Sequence, residues 1–163
     1  MIFLKPSPDT VVLRQGITLR AITLFMDKST ILQKANEITK NTMMETLGII
    51  FTDFGDDFVE ATMPVNSSVH QPAGLLHGGA NAALAESLGS CGSFLHLENP
   101  KSQVVGIEIN ANHLRSVRSG TVKARGVLLH KGRRTHVWEI KIYDEAANLL
   151  SACRLTNMII DPA

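Results

Sequence analysis

Hydrophobic and polar residues along the first part of the chain predict a helix followed by two strands. Apolar side chains recur at near-helical spacing over residues 30–46, and Gly48 follows at a position where the left-handed end of a helix favours glycine. Residues 49–54 and 58–65 are short apolar runs separated by a Gly-Asp-Asp turn, which predicts a hairpin. Residues 66–76 are rich in Ser, Gln, Pro and Gly, which indicates a loop.

The segment from about Gly79 to Leu97 predicts a long buried helix. Its residues are apolar or small nearly all round, whereas a helix on a surface has one polar face. Gly89 and Gly92 each cost about 1 kcal/mol inside a helix, so we expect them to permit close packing. One carboxylate, Glu86, stands well inside this helix, and we expect it to be buried.

The chain after Pro100 predicts strands, because apolar and polar residues alternate with period two. With one long helix and hairpin-length connections, the sequence predicts an α+β fold in which an antiparallel β-sheet wraps around the central helix. The strands are predicted over 103–114, 121–130, 134–143 and 149–160. Two sets of side chains are predicted to share a face, namely Val105, Ile107, Ile109 and Ala111 in the first strand and His136, Trp138, Ile140 and Ile142 in the third.

Length and composition indicate one domain, from residue 26 to residue 163. Residues 1–25 differ in composition from the rest, and charged residues interrupt them too often for a signal peptide. The sequence from Met26 onwards resembles a natural start. We therefore interpret residues 1–25 as an N-terminal extension of unknown role.

Charge and cysteine content narrow the class of protein. The net charge is +1 and the basic residues are scattered, which argues against a nucleic-acid partner. No apolar run approaches the ~20 residues that a membrane span needs. Cys91 and Cys153 lie in apolar patterns without a spaced partner, so we expect free thiols and a cytoplasmic location. None of the six histidines has Cys or carboxylate neighbours at ligand spacing, so we expect no metal site.

One face of the predicted helix combines groups that suit carbonyl chemistry. Ala82, Ala83, Glu86 and Ser90 follow Gly79 at offsets that place them on this face. The N–H groups at the helix start favour negative charge on an oxygen, and one such donor stabilises a transition state by about 3–4 kcal/mol. Glu86 lies about 10 Å further along the axis, where a carboxylate attacks a carbonyl carbon directly or activates water.

These residues also have structural interpretations. Ser90 alone fits a small packing residue, and His77 alone fits equally a packing residue at the helix start and a ligand to substrate. A helix Glu is sometimes hydrogen-bonded within the fold, and sometimes faces solvent at one end of the helix. We favour function for Glu86, because Glu is rarely fully buried unless it is paired.

Four segments together resemble the hotdog-fold thioesterases, in the subgroup that carries its acid on the central helix. They are HQP at 70–72, GLLHGG at 74–79, LAES at 84–87 and VGIEINANH at 105–113. The resemblance covers about residues 30–160. The subgroup includes phenylacetate-degradation thioesterases, 4-hydroxybenzoyl-CoA thioesterases and 1,4-dihydroxy-2-naphthoyl-CoA hydrolases, and the last are the most similar.

The resemblance implies a role for each site residue. Glu86 matches the catalytic carboxylate, as nucleophile or general base, and Gly79 matches the backbone donor to the thioester oxygen. Gln71 and His77 match side chains that orient the thioester or the attacking water, and Ser90 matches a residue near that water. The residues matched to coenzyme A contacts are His113 and Arg115, near the pantetheine and nucleotide, and Lys131, Arg133 and Arg134, on a turn near the phosphates.

The resemblance further implies an acyl-CoA thioesterase that acts on an aromatic acyl group and needs no cofactor. Dihydroxynaphthoyl-CoA is the first candidate substrate, and benzoyl-type thioesters are the second. A thioester bound to a carrier protein, instead of to coenzyme A, stays open as well. It also implies a homo-oligomer, a dimer or a dimer of dimers, with active sites at the dimer interface. Two alternatives stay open, a hotdog hydratase or dehydratase and a non-catalytic acyl-CoA-binding module. The position of the helix acid and the loop Gln favour hydrolysis over the hydratase, and Glu86 counts against a binding module, which needs no catalytic acid.

Overall fold

A computed structural model describes residues 27–162 of the protein. The extension predicted over residues 1–25 lies outside the described residues. Its role and the domain start at residue 26 therefore stay predictions.

Two short helices, rather than the single helix predicted over residues 30–46, begin the described chain. Asn41 between them has a φ of 60°, a left-handed conformation that interrupts a right-handed helix. The Thr42 side chain then caps the second helix. Gly48 ends that helix with a φ of 69°, as predicted. The two helices are α1 (Lys28–Glu37) and α2 (Met43–Leu47).

One long helix and six strands make up the rest, and their bounds lie within two residues of the predicted ones. Helix α3 spans Gly78–Leu95, and a single 3-10 turn, Ser67–Val69, lies in the loop before it. The strands are β1 (Ile50–Phe54), β2 (Phe58–Val65), β3 (Gln103–His113), β4 (Gly120–Lys131), β5 (Thr135–Tyr143) and β6 (Leu149–Ile160).

The six strands form one antiparallel sheet in the order β1-β2-β4-β5-β6-β3. Helix α3 packs against β2, β3, β4, β5 and β6, so the sheet wraps around it. The predicted α+β arrangement is therefore confirmed. Within this sheet β1 and β3 are the edge strands.

Helix α3 lies close to the sheet where it crosses Trp138. A Cβ built on Gly89 would lie 2.6 Å from Leu155 Cδ2, and one built on Gly92 would lie 2.6 Å from the Trp138 ring. Only glycine lets the helix come this close, which agrees with the predicted role of these two residues. Trp138 Nε1 also donates to Ser93 Oγ at 2.8 Å. The predicted alternation in β5 is confirmed, since all four of its members are buried: His136, Trp138, Ile140 and Ile142.

The alternation predicted for β3 is wrong near its start. A bulge between Gly106 and Glu108 shifts the register against β6. A bulge adds one unpaired residue, so the residues before it change face. Val105, before the bulge, is consequently 42% exposed, and Ile107, the unpaired residue within it, is 51% exposed. Ile109, after the bulge, still packs against the core.

Candidate active site

His77 forms the N-cap of α3. Its Nδ1 accepts a hydrogen bond from the Gly79 N–H at 2.8 Å, and its carbonyl oxygen accepts from the Ala80 N–H at 3.0 Å. Because Nδ1 is an acceptor, the neutral imidazole carries its proton on Nε2. The Gly79 N–H, which is predicted to face the thioester oxygen, is engaged by this cap.

Arg118 holds the loop before α3 in shape. Its guanidinium donates to the Ala73 carbonyl oxygen at 2.8 Å, and His70 Nε2 lies 2.9 Å from the Arg118 carbonyl oxygen. Gly74 has a φ of 72°, a conformation that glycine adopts without strain. Gln71 Oε1 accepts from the Ala73 N–H at 2.6 Å, so its oxygen is used within the loop and its NH₂ group is the end that suits a ligand.

Glu86 is exposed in the single chain, which corrects its predicted burial. Its carboxylate faces β3, since a Cβ built on Gly106 would lie 2.7 Å from Glu86 Oε1. A residue with a side chain at position 106 would therefore meet the acid. The burial prediction fails because β3 is an edge strand. No further strand of the described chain continues the sheet beyond Glu86.

A cavity of about 690 Å³ opens beside Glu86. The segment between α1 and α2, helix α3 and the start of β3 form its walls. Ile38 and Met43, which line it, are 66% and 60% exposed. A mostly apolar cavity of this size with a few polar groups is typical of a small-molecule site. Its other apolar lining residues include Met44, Phe51, Cys91, Phe94 and Val104.

Ser90 lies one turn after Glu86 and lines the same cavity. Its Oγ is 3.4 Å from Oδ1 of Asn157, a fully buried side chain on β6. Gly106 is the β3 partner of Asn157 in the sheet. Neither Gly106 nor Asn157 is among the site residues predicted from the sequence. The two residues are identified by the register in which β3 pairs with β6. That register is not apparent from the sequence, because the bulge in β3 shifts it.

His113 packs against the start of α3. Its Nε2 would lie 2.5 Å from a Cβ built on Gly78, so a side chain at position 78 would displace the ring. Its Nδ1 is 2.9 Å from Ser151 Oγ, which also accepts from the buried Asn81 amide at 3.0 Å. His113 therefore borders the same helix start as His77.

The residues predicted to hold coenzyme A divide between two ends of the sheet. Arg115 follows β3 and donates to the Leu149 carbonyl oxygen at 3.4 Å. The turn of residues 131–134 lies at the other end, where the Arg134 carbonyl oxygen accepts from the Ile159 N–H at 2.8 Å. Leu149 and Ile159 are separated by about 33 Å of extended strand. One chain therefore does not bring these two basic groups together.

The predicted catalytic residues form two groups in the single chain. The helix-start group consists of Gln71, His77 and Gly79, beside His113. The mid-helix group consists of Glu86 and Ser90. The cavity beside Glu86 is lined by the mid-helix group and by none of the three helix-start residues.

Comparison with known proteins identifies the family. The sequence pattern of the thioesterase superfamily matches residues 73–151. The proofreading thioesterase EntH of Cronobacter sakazakii is 48% identical over 129 residues, which cover 79% of this chain and 93% of that protein. The 1,4-dihydroxy-2-naphthoyl-CoA hydrolase of Escherichia coli K12 is also 48% identical over 129 residues, which cover 79% of this chain and 94% of that protein. A crystal structure of a mutant of thioesterase PA1618 from Pseudomonas aeruginosa has a TM-score of 0.77 and 45% identity, and the match covers 79% of this chain and 93% of that one.

The chain belongs to the thioesterase superfamily. It has the hotdog fold and is a thioester hydrolase, which confirms the predicted fold and activity class. The matched range contains His77, Gly79, Glu86 and Ser90, and it ends before Asn157.

Both cysteines of this thioesterase are free. Cys91 lines the cavity, and burial raises the pKa of its thiol to about 12. Burial likewise raises the pKa of the Cys153 thiol to about 11. Because the thiolate is the reactive form, Cys91 is a poor nucleophile beside Glu86.

The described residues 27–162 contain neither a metal-binding cluster nor a membrane-spanning helix. No group of three or more His, Cys, Asp or Glu side chains in this part of the chain is arranged to hold a metal ion. No helix in it is long and apolar enough to cross a membrane.

Proposed function

We propose that this thioesterase hydrolyses an aromatic acyl-CoA to the free acid and coenzyme A, with 1,4-dihydroxy-2-naphthoyl-CoA as the first candidate substrate. The observation that carries the proposal is the Glu86 carboxylate at the wall of an apolar cavity of about 690 Å³. Phe51 and Phe94 line that cavity, and aromatic side chains pack favourably against aryl groups. The relative named 1,4-dihydroxy-2-naphthoyl-CoA hydrolase supports the same substrate class.

Glu86 is the proposed catalytic carboxylate. As a nucleophile it attacks the thioester carbon and forms an anhydride that water then hydrolyses. As a general base it takes a proton from the water that attacks the carbon. In both routes the C–S bond breaks, and the departing sulfur of coenzyme A takes up a proton.

The helix-start group is proposed to bind the thioester oxygen. The Gly79 N–H stabilises the negative charge that develops there once the His77 imidazole turns towards the substrate. The His77 Nε2–H and the Gln71 NH₂ group are side-chain donors suited to orient the carbonyl. Helix dipole and donors act in the same direction, because both belong to the start of α3.

A second protomer is proposed to bring the two groups together. Two copies of α3 packed antiparallel around a twofold axis oppose residues that are equally distant from the axis. An axis near Ala82 and Ala83 places Gly79 of one protomer opposite Glu86 of the partner subunit. Alanine side chains are small, so they allow two helices to approach closely.

Strand β3 supplies a suitable surface for this dimer. An edge strand has unpaired N–H and C=O groups that favour pairing with another strand, and β3 is eleven residues long. Pairing β3 with its copy would cover that edge. It would also bring a second copy beside two apolar side chains of β3 that are each at least 40% exposed, Val105 and Ile107.

Coenzyme A is proposed to contact two protomers. We assign His113 and Arg115 to the pantetheine and nucleotide, since His113 borders the helix start. Arg133, Arg134 and Lys131 then contact phosphate from a different protomer, because they lie at the far end of their own sheet.

A panel of acyl-CoA thioesters tests the substrate class. Thiol release would be measured with a thiol-reactive dye for naphthoyl, benzoyl, short aliphatic and long aliphatic thioesters. We expect the highest kcat/KM for the aryl thioesters, with the bicyclic one first. Equal or higher kcat/KM for the aliphatic thioesters would contradict the proposal. Binding without thiol release, or a change in enoyl absorbance instead, would favour the binding-module or hydratase alternative.

Mixing two inactive variants tests the shared site. Glu86→Gln and His77→Ala damage opposite groups, so a mixed dimer would contain one intact site if each site uses both protomers. Random exchange should then restore about a quarter of the wild-type activity. No restoration in a mixture whose exchange is verified by mass spectrometry would place the site within one chain.

A further inference from the structure

A buried amide that has no predicted role lies behind Ser90. Asn157 has no exposed surface. Its Nδ2 donates to the Gly89 carbonyl oxygen at 3.1 Å and to Ser93 Oγ at 2.8 Å. An Asn amide has two N–H donors, and both are used here. Because the Gly89 carbonyl only accepts, the orientation of the amide is determined, and Oδ1 is the end that faces Ser90.

The Ser93 hydroxyl, which accepts from the Asn157 amide, is fixed in place by a second hydrogen bond. Trp138 Nε1 donates to Ser93 Oγ at 2.8 Å, so this hydroxyl accepts from both Trp138 and Asn157. All three side chains are fully buried. A buried polar network whose members are hydrogen-bonded specifies one arrangement.

The contact between Asn157 and Ser90 has one direction. The two oxygens are 3.4 Å apart, and an amide oxygen accepts but does not donate. The Ser90 O–H therefore donates inward, and its lone pairs are left for the cavity that it shares with Glu86. Oδ1 of Asn157 and Oε1 of Glu86 both lie near Gly106, 3.8 Å and 2.7 Å from a Cβ built on that residue.

We propose that Asn157 is a positioning residue that makes the Ser90 hydroxyl an acceptor for the water that attacks the thioester beside Glu86. The proposal rests on the proposed function and concerns its water-mediated route. The water donates one O–H to Glu86 and the other to Ser90, so that a lone pair faces the carbonyl carbon. The C–O bond forms as the first proton passes to Glu86, the C–S bond breaks, and the proton goes to the sulfur of coenzyme A. A Ser90 hydroxyl turned the other way would instead donate to the lone pair that the attack uses.

Asn157→Leu tests the proposal, because leucine has a similar size and no amide. We expect kcat to fall about tenfold with KM unchanged, the effect of one orienting hydrogen bond. Ser90→Ala should give the same fall, and the double variant should give no further fall, because both changes remove one contact. Wild-type kcat in Asn157→Leu, or falls that add in the double variant, would overturn the proposal.

Ile159→Ala is the matched control. Ile159 lies two residues further along β6 and is buried like Asn157, so its truncation lowers the free energy of unfolding without touching Ser90. We expect wild-type kcat at temperatures where the variant is folded. A tenfold fall in this control would mean that β6 packing, rather than the amide, sets kcat, and would overturn the proposal.

Ser93→Ala extends the test if Asn157→Leu does not fold. It removes one of the two acceptors that hold the amide, so we expect a fall in kcat of about threefold. The emission of Trp138, which is the only tryptophan in the chain, should change at the same time. A changed emission with unchanged kcat would overturn the positioning role.

Failure of the proposed function is distinguishable from failure of this inference. If the wild type releases no thiol, or if Glu86→Gln keeps full activity, the proposed function itself is wrong. If Glu86→Gln is inactive and Asn157→Leu has wild-type kcat, only the positioning role is wrong.

Discussion

The helix-start group and the mid-helix group differ in how far their polar atoms are already bonded. At the helix start, the Gly79 N–H donates to His77 Nδ1 at 2.8 Å and Gln71 Oε1 holds the Ala73 N–H at 2.6 Å. In the middle of the helix, the Glu86 carboxylate is exposed above Gly106 and beside a cavity. The hydrogen bonds of the first group stabilise the helix start and its loop. The second group contains an acid that the fold leaves exposed.

Because of this difference, we expect substitutions in the two groups to have different effects on the free energy of unfolding and on kcat. Disturbing the helix start removes caps and loop contacts, so it should affect folding and catalysis together. Changing the exposed acid should affect catalysis alone, because its removal leaves no buried partner unsatisfied. Three predictions test this contrast, from the largest expected effect to the smallest, and a fourth concerns a buried histidine outside both groups.

Glu86→Gln should lower kcat about 10³-fold, within the range typical of a lost general base. The melting temperature should stay within about 2 °C, because an exposed surface substitution changes stability little. Thiol release and thermal unfolding measure the two effects. Glu37→Gln, an exposed carboxylate on α1, is the control and should keep wild-type kcat. A variant of Glu86 with near-wild-type turnover would remove it from the catalytic role.

Gly106→Ala should lower kcat about 10- to 100-fold, because a misplacement of about 1 Å has effects of this size. The added Cβ would lie 2.7 Å from Glu86 Oε1 and would push the carboxylate aside. Stability should change little, since the displaced atom ends a flexible side chain. Gly126→Ala is the comparison variant, because its Cβ would lie 3.3 Å or more from its neighbours. Equal kcat in the two variants would contradict the proposed position of the acid.

Arg118→Met should lower kcat about fivefold and the free energy of unfolding by about 1 kcal/mol, the value of one lost hydrogen bond. The lost contact is the 2.8 Å hydrogen bond to the Ala73 carbonyl oxygen, which supports the loop of Gln71 and His77. Urea unfolding and steady-state kinetics measure the effects. Arg154→Met, another exposed arginine, should change neither. A stability loss without any change in kcat would separate this loop from the site.

His136→Phe should reduce the fall in the free energy of unfolding that occurs as the pH drops below about 6.5. It should leave kcat at neutral pH unchanged. Burial, together with the charges of His96 and Lys131, lowers the pKa of His136 from 6.5 to about 4. Its Nδ1 is buried without a hydrogen-bond partner in the described part of the chain. The unfolded state therefore binds the proton first as the pH falls, so stability is lost between about pH 6.5 and pH 4. The loss should be about 3 kcal/mol, because one pKa unit corresponds to about 1.4 kcal/mol.

Urea unfolding at several pH values measures the slope of the free energy of unfolding against pH. The wild type should show it and the variant should show less of it. Equal slopes in the two proteins would mean that His136 does not titrate in this range.

Periodicity was sufficient for elements whose residues pack regularly. In β5, His136 and Trp138 are buried as their spacing predicts, and α3 approaches the sheet at Gly89 and Gly92. It failed where one residue departs from the pattern. The left-handed Asn41 splits the first predicted helix, and the bulge after Gly106 turns Val105 outward.

The candidate site likewise contains residues that local sequence patterns identify and one residue that they do not. His77, Gly79, Glu86 and Ser90 are neighbours along one helix, so local spacing and the family resemblance identify them. Asn157 reaches Ser90 across 67 residues of sequence. No local pattern records such a contact, since it depends on which strands pair and in which register.

By itself the sequence determined the order of the elements, the helix that carries the acid and the glycine-rich start of that helix, because these depend on residues close together in the chain. Only the tertiary structure decided that Glu86 is exposed at a sheet edge and that the Gly79 N–H donates to His77 Nδ1. It also decided that the buried Asn157 amide on β6 faces Ser90. The reason is physical: exposure and hydrogen-bond direction are set by the atoms that surround a group in space, and in this fold those atoms come from strands far away in the sequence.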